Sequence, residues 1–140
     1  MTYIPEALRQ LVFERASGAC EYCLIHQDVY LYPHEVDHII PEKHRGLTDA
    51  DNLCLSCMEC NRHKGTDFAS FDPETGDVTR LFNPRTDQWA EHFRLEGASI
   101  QPLTAIGRVT VFVLALNDEM RRQERAALMK MGRYPALTAN

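Results

Sequence analysis

The segment LCLSCMECNRHKG, residues 53–65, contains one of two Cys-x-x-Cys pairs in this 140-residue chain. The other pair is Cys20 and Cys23. Two residues between thiols allow both sulfurs to reach one tetrahedral ion from a tight turn, and two such turns complete a four-thiolate zinc site. Four protein ligands leave no open position on the ion. The sequence therefore predicts a structural zinc ion held by Cys20, Cys23, Cys57 and Cys60.

The cysteine count is odd, with five in the chain. In a reducing compartment disulfides are not expected, and metal binding is the better interpretation. Ordinary buried cysteines and a thiol redox protein are the alternatives, and two pairs that flank one insert favour zinc over both. Cys54 alternates with Leu53 and Leu55, which indicates a small buried hydrophobic residue.

The insert between the two pairs is long, with 33 residues between Cys23 and Cys57. A simple zinc ribbon has only about 15–20 residues there, so the insert must hold structure of its own. The segment DVYLYPHEVDHIIP, residues 28–41, is typical of a strand. The polar segment EKHRGLTDAD, residues 42–51, is typical of a loop. A second strand, NLCLSC, and a short helix, MECNRHK, which Gly65 closes, complete the predicted order.

Helices are predicted on both sides of this region. Residues 5–18 show helical spacing, with Pro5 in the first turn and Gly18 at the end. After Thr66, turn signals separate short extended segments that include QWAEHFRL, residues 88–95. From Thr104, which suits a helix cap, the pattern becomes helical again, and Asn117 is predicted to begin a second helix. Length and pattern predict an α+β protein with residues 1–140 in one domain.

The order of the motifs resembles the HNH endonuclease family across Arg15 to Gly65: Cys-x-x-Cys, EVDHIIP, a glycine-containing loop, DNLCLSCMEC and NRHKG. The resemblance implies a ββα-metal core, treble-clef-like and braced by structural zinc, with an N-terminal helix and a C-terminal helical extension. It places the HNH core at about residues 15–65 and the extension at residues 66–140. The resemblance implies no function for the extension.

The resemblance also implies hydrolysis of DNA phosphodiester bonds. His38 matches the general base of the family, and Asp37 matches a ligand of a catalytic divalent ion, Mg²⁺ or another such as Mn²⁺ or Ni²⁺. An imidazole can accept a proton from water near neutral pH, and a divalent ion stabilises the leaving oxygen. Asn52 matches the central asparagine, which ties down the loop and orients the base. Neighbouring strand residues point to opposite faces, so Asp37 and His38 converge only at a strand end or bend.

The third motif position of the family follows the last cysteine and is Asn61 here. An amide oxygen is an adequate ligand for Mg²⁺. His63 is the alternative ligand or a phosphate contact, although residues two apart on a helix face different ways, which favours Asn61. The catalytic set implied by the resemblance is therefore His38, Asn52, Asn61 and His63. Glu35, on the same strand side as Asp37, either supports the site or is a solvated acid.

DNA contacts are expected from cationic groups that flank the site: Lys43, His44, Arg45, Arg62, His63 and Lys64. The net charge of −5 argues against a general polyanion binder. A zinc-dependent nucleic-acid-binding module without catalysis is the alternative function. Arg121, Arg122 and Arg125 lie among acids and are predicted to form a solvated helix face.

The chain contains no stretch near the ~20 apolar residues that a membrane-spanning helix needs. The segment MTYIPEALRQ lacks a basic region followed by an apolar one, as in a secretory signal. We therefore expect a cytoplasmic protein without a membrane partner.

Overall fold

A computed structural model describes residues 2–136. The helices are α1 (Glu6–Ala16), α2 (Met58–Lys64), α3 (Trp89–His92), α4 (Ala105–Val113) and α5 (Glu119–Lys130). The strands are β1 (Glu35–His38), β2 (Leu53–Ser56), β3 (Ala69–Phe71), β4 (Val78–Arg80), β5 (Phe93–Glu96) and β6 (Ser99–Pro102). Within residues 2–136 they pair as three two-stranded antiparallel sheets, β1–β2, β3–β4 and β5–β6. The predicted α+β class is confirmed.

The ββα unit follows the predicted order, because β2 pairs with β1 and leads directly into α2. Asp37 lies opposite Cys54, and His38 lies opposite Leu53. The first strand is shorter than predicted: residues 27–29 form a 3₁₀ turn, and pairing begins only at Glu35. Pro33 lies between them and has no N–H to donate to a sheet, which is consistent with the late start.

One side of this unit is covered by α1. Ile4, Val12 and Ala16 pack with Leu53 and Leu55 of β2 in a buried cluster. Ser17 ends the helix with φ 54°, and Gly18 follows with φ 73°, so the predicted stop is confirmed within one residue. A Cβ on Gly18 would lie 2.6 Å from His26 Nε2, so the imidazole would have to shift, and the positive φ itself favours glycine.

The larger buried cluster takes residues from both halves of the chain. It combines the four paired cysteines with apolar residues that include Tyr22, Ile39, Phe82, Phe93, Ile100, Val109, Leu114, Leu128 and Tyr134. Phe82 packs edge-on against Tyr22 and Phe93, at centroid distances of 6.4 and 5.3 Å. The segment after residue 66 thus packs directly on the cysteine region.

Three expectations for the extension were wrong. Residues 89–92 form α3 rather than a strand. The residue at the start of α5 is Asp118; the Asn117 side chain instead exchanges two 2.8 Å hydrogen bonds with the main chain of Ile100. The predicted solvated arginine face is largely buried, since Arg121 is 7% exposed and Arg125 is fully buried.

Two other expectations concern the start of α4 and the presence of a membrane-spanning helix. The Thr104 hydroxyl accepts a 3.0 Å bond from the Gly107 N–H, which confirms the predicted cap of α4. No helix within residues 2–136 is long and apolar enough to cross a membrane.

Candidate metal centre and active site

The four paired cysteines form one cluster. All four are buried, and their sulfurs all lie within 4.8 Å of one another. The sulfurs of Cys23 and Cys57 are 3.7 Å apart. Tetrahedral Zn²⁺ with Zn–S bonds of about 2.3 Å separates its sulfurs by about 3.8 Å. The donor set and the spacing therefore fit one tetrahedral ion, and the predicted clustering of the four paired cysteines is confirmed.

Local backbone structure positions each pair. After α1, the Cys20 N–H donates to Ile25 O, and the Leu24 N–H returns to Cys20 O, which folds the first pair into a tight turn. The second pair begins α2, where the Cys57 sulfur accepts the Cys60 N–H at 3.4 Å. A thiolate at a helix start is stabilised by the free N–H groups there.

Asp37 contacts a buried lysine, Lys64, for which the sequence predicts a surface position. The Lys64 side chain is 1% exposed and places Nζ 3.2 Å from Asp37 Oδ2 and 2.9 Å from the His38 carbonyl oxygen. Lys64 is therefore not available as a surface phosphate contact. Burial raises the pKa of Asp37, and the positive charge of Lys64 opposes that rise.

Asn61 lies three residues before Lys64, on the same face of α2. Its Nδ2 donates a 2.6 Å hydrogen bond to Glu35 Oε2. Glu35 and Asp37 alternate onto one face of β1. The helix thus lays Asn61 and Lys64 along the strand face that carries the two carboxylates. The three-residue spacing places Lys64 on the same helix face as Asn61, but the spacing does not show which strand residues that face meets.

His38 is the last residue of β1. Its Nε2 lies 2.7 Å from the Thr48 hydroxyl, so a loop residue orients the ring. Its carbonyl is held by Lys64, and the next N–H, on Ile39, donates to Asn52 O at 2.8 Å. Both the backbone and the ring of His38 are fixed by contacts.

Asn52 ties the loop to the end of β1. Its Oδ1 accepts the Ile40 N–H at 2.9 Å, and its Nδ2 donates to Ile40 O at 3.0 Å and to Leu47 O at 2.9 Å. Gly46 allows this closure, because a Cβ there would lie 1.6 Å from Ile40 O. The loop that carries Thr48 is therefore held by one amide side chain.

We expect Asn52→Ala to destabilise the protein by about 2 kcal/mol, because three partly exposed hydrogen bonds are lost at once. Urea denaturation would measure the change, and limited proteolysis would locate it in residues 41–48. Asp49→Ala is the matched control, since it removes a single local bond to the Asp51 N–H and should cost about 0.5–1 kcal/mol. Equal losses of stability in the two variants would contradict the role of the Asn52 side chain in holding the loop.

The remaining predicted cationic groups divide into two sets. His63 Nε2 lies 3.5 Å from Glu59 Oε2, and Arg62 pairs with the same carboxylate at 2.9 Å, so both have an acidic partner on their own helix. Lys43, His44 and Arg45 are exposed on the loop that Asn52 holds. This loop is therefore the better candidate for contact with a polyanion.

Comparisons with known proteins agree with the geometry. The family model described as HNH endonuclease matches residues 20–67, the segment that contains both cysteine pairs and the Asp37–Asn61 region. The chain is similar to Septu protein PtuB of Bacillus mycoides (strain KBAB4), 28% identical over 91% of this chain and 52% of the relative. It is also similar to Septu protein PtuB of Bacillus thuringiensis, 27% identical over 79% and 41%. The chain spans about half the length of these relatives, and no solved structure matches it significantly.

Proposed function

We propose that this protein, whose residues 20–67 are an HNH endonuclease module, hydrolyses DNA phosphodiester bonds with the help of a divalent ion. The observation that carries the proposal is the placement of Asp37 and His38 at the end of β1, beside the helix that bears Asn61. The four-cysteine cluster ties that helix to the turn after α1. We assign zinc to this cluster, in a structural capacity, because four thiolates leave no position for substrate.

Asp37 and Asn61 are the residues that would hold the catalytic ion. Carboxylate and amide oxygens suit Mg²⁺, and the Asn61 amide uses its nitrogen on Glu35, so its carbonyl oxygen remains available as a ligand. A bound divalent ion would supply charge stabilisation at the phosphate and the leaving oxygen. Mn²⁺ or Ni²⁺ would serve in the same position.

We assign general-base catalysis to His38. The Nε2 atom of His38 is engaged in a hydrogen bond with the Thr48 hydroxyl. We therefore assign Nδ1 as the atom that takes the proton from the attacking water. Lys64 is a positioning residue in this scheme, because it holds both the Asp37 carboxylate and the His38 carbonyl. By the family resemblance, the products carry 5′-phosphate and 3′-hydroxyl ends.

We place the DNA along the loop that carries Lys43, His44 and Arg45. Contacts from such groups to phosphates position the duplex without reading its sequence. Exposed acids at Glu42 and Asp49 flank these cations. Affinity should therefore be modest and should fall steeply with salt concentration.

A plasmid-nicking assay tests the proposal. Supercoiled DNA is incubated with the zinc-loaded protein and Mg²⁺, Mn²⁺ or Ni²⁺, and the ends of the products are typed by ligation and by phosphatase treatment. Ion-dependent nicking that leaves ligatable ends is the expected result. Intact DNA under every ion, together with zinc-dependent DNA binding, would favour the alternative of a binding module without catalysis.

Variants of Asn61 and His63 test which of the two residues is a ligand of the catalytic ion. We expect Asn61→Ala to raise the Mg²⁺ concentration needed for half-maximal cleavage by about 10–100-fold, as loss of a metal-site residue does. His63→Ala should change it only a few-fold, because that ring contacts Glu59. A metal titration of cleavage by both variants measures the difference. A larger shift for His63→Ala than for Asn61→Ala would transfer the ligand role to His63.

A further inference from the structure

Arg121 of α5 reaches the cysteine cluster from the extension. The residue is 7% exposed, and its Nη2 lies 3.0 Å from Cys60 Sγ and 3.8 Å from Cys57 Sγ. Its Nη1 donates to Leu114 O at 2.7 Å. A buried guanidinium needs an opposite charge close by. The sulfurs of Cys57 and Cys60, which are thiolates when they bind zinc, are the groups that it contacts.

Two other residues of the extension hold the first cysteine pair. Trp89 Nε1 donates to Tyr22 O at 2.9 Å, inside the Cys20–Cys23 turn. The Tyr134 hydroxyl donates to Cys23 O at 2.7 Å. Three side chains from separate parts of the extension therefore contact both turns that carry the ligands.

The charges explain why such contacts matter. Zn²⁺ with four thiolates has a net charge of −2, and burial of a dianion in an apolar core is costly. One adjacent guanidinium reduces the local charge to −1 and provides charge-assisted hydrogen bonds to the sulfurs. Arg121 is thus placed to lower the cost of keeping the loaded centre buried.

We propose that the extension completes the zinc centre and that Arg121 is the residue through which it retains the ion. The inference rests on the assignment of zinc to the four cysteines, and it is independent of nuclease activity. A purely structural role for Arg121, as an anchor between α5 and the end of α4, predicts altered folding stability without altered zinc release. The two roles are therefore separable by experiment.

The test measures zinc release. Zinc per chain is first determined in the wild type by mass spectrometry; a zinc-free protein would remove the zinc assignment itself. Release into excess chelator is then followed with a colorimetric zinc indicator for wild type, Arg121→Gln and Arg121→Lys. Arg122→Gln is the matched control, because Arg122 is an exposed neighbour on the same helix. Circular dichroism verifies that each variant is folded.

We expect Arg121→Gln to release zinc at least about tenfold faster than wild type, in line with the effect of residues that support metal ligands. Arg121→Lys should be intermediate, since it keeps the charge but not the forked donor. Arg122→Gln should match wild type. Folded Arg121→Gln with a wild-type release rate would overturn the proposal. If Arg121→Gln does not fold, Arg121→Lys decides: faster release than wild type supports the proposal, and an equal rate overturns it.

Discussion

His38→Ala is expected to lower the DNA cleavage rate by about 10²–10⁴-fold, the usual contribution of a positioned general base. The side chain is half-buried at the end of β1, and among residues 2–136 its ring makes a polar contact with the Thr48 hydroxyl. Truncation therefore removes the proposed proton acceptor and should not disturb the cysteine cluster. Single-turnover cleavage of a labelled duplex at saturating Mg²⁺ measures the rate of the chemical step.

His44→Ala serves as the matched control, because His44 is an exposed imidazole on the neighbouring loop. It should weaken DNA binding modestly and leave the saturated rate within a few-fold of wild type. Both variants should keep their zinc and their thermal midpoint. Full activity in His38→Ala would remove the assignment of the base, and loss of zinc would show that His38 has a structural role instead.

The cysteine centre and the ββα order were predictable because they depend on local rules. A two-residue spacing brings two sulfurs to one ion wherever the rest of the chain goes. Gly65 ends α2 regardless of what packs on the helix. Asn52 was predicted to tie the loop, and the structure shows bonds from its amide to Ile40 and Leu47 that fit this role.

The side chains that contact the site residues could not be predicted from local rules. The sequence shows that Lys64 follows Asn61 by three positions, but the position of Asp37 against that helix face depends on how β1 and α2 pack. Arg121 and Arg125 stand among acids and therefore resembled a solvated face. Only the tertiary fold brings Arg121 to Cys60, which is 61 residues away.

The segment QWAEHFRL illustrates a different limit. A short segment that mixes apolar and polar residues is compatible with a helix or with a strand, and periodicity does not separate them. In the structure it is divided, with α3 over Trp89–His92 and β5 from Phe93. The His92 ring contacts the Thr104 hydroxyl, which caps α4, at 2.7 Å.

Cys57→Ser is expected to abolish zinc binding and cooperative folding under conditions where the wild type is stable. Binding of structural zinc contributes about 10–16 kcal/mol in small zinc domains. The whole stability of a domain is about 5–15 kcal/mol. Cys57 also begins α2 by accepting the Cys60 N–H, so its loss affects the helix that carries Asn61 and Lys64.

Cys54→Ala separates the loss of a ligand from the loss of a buried cysteine. Cys54 is fully buried in β2, and its sulfur contacts the Tyr22 hydroxyl at 3.6 Å rather than the cluster. We expect this variant to keep one zinc per chain and to lose only about 1–2 kcal/mol. Calorimetry and zinc analysis of both variants, with and without chelator, make the comparison. A cooperative, wild-type melting transition in zinc-free Cys57→Ser would show that the four thiols do not hold a structural ion.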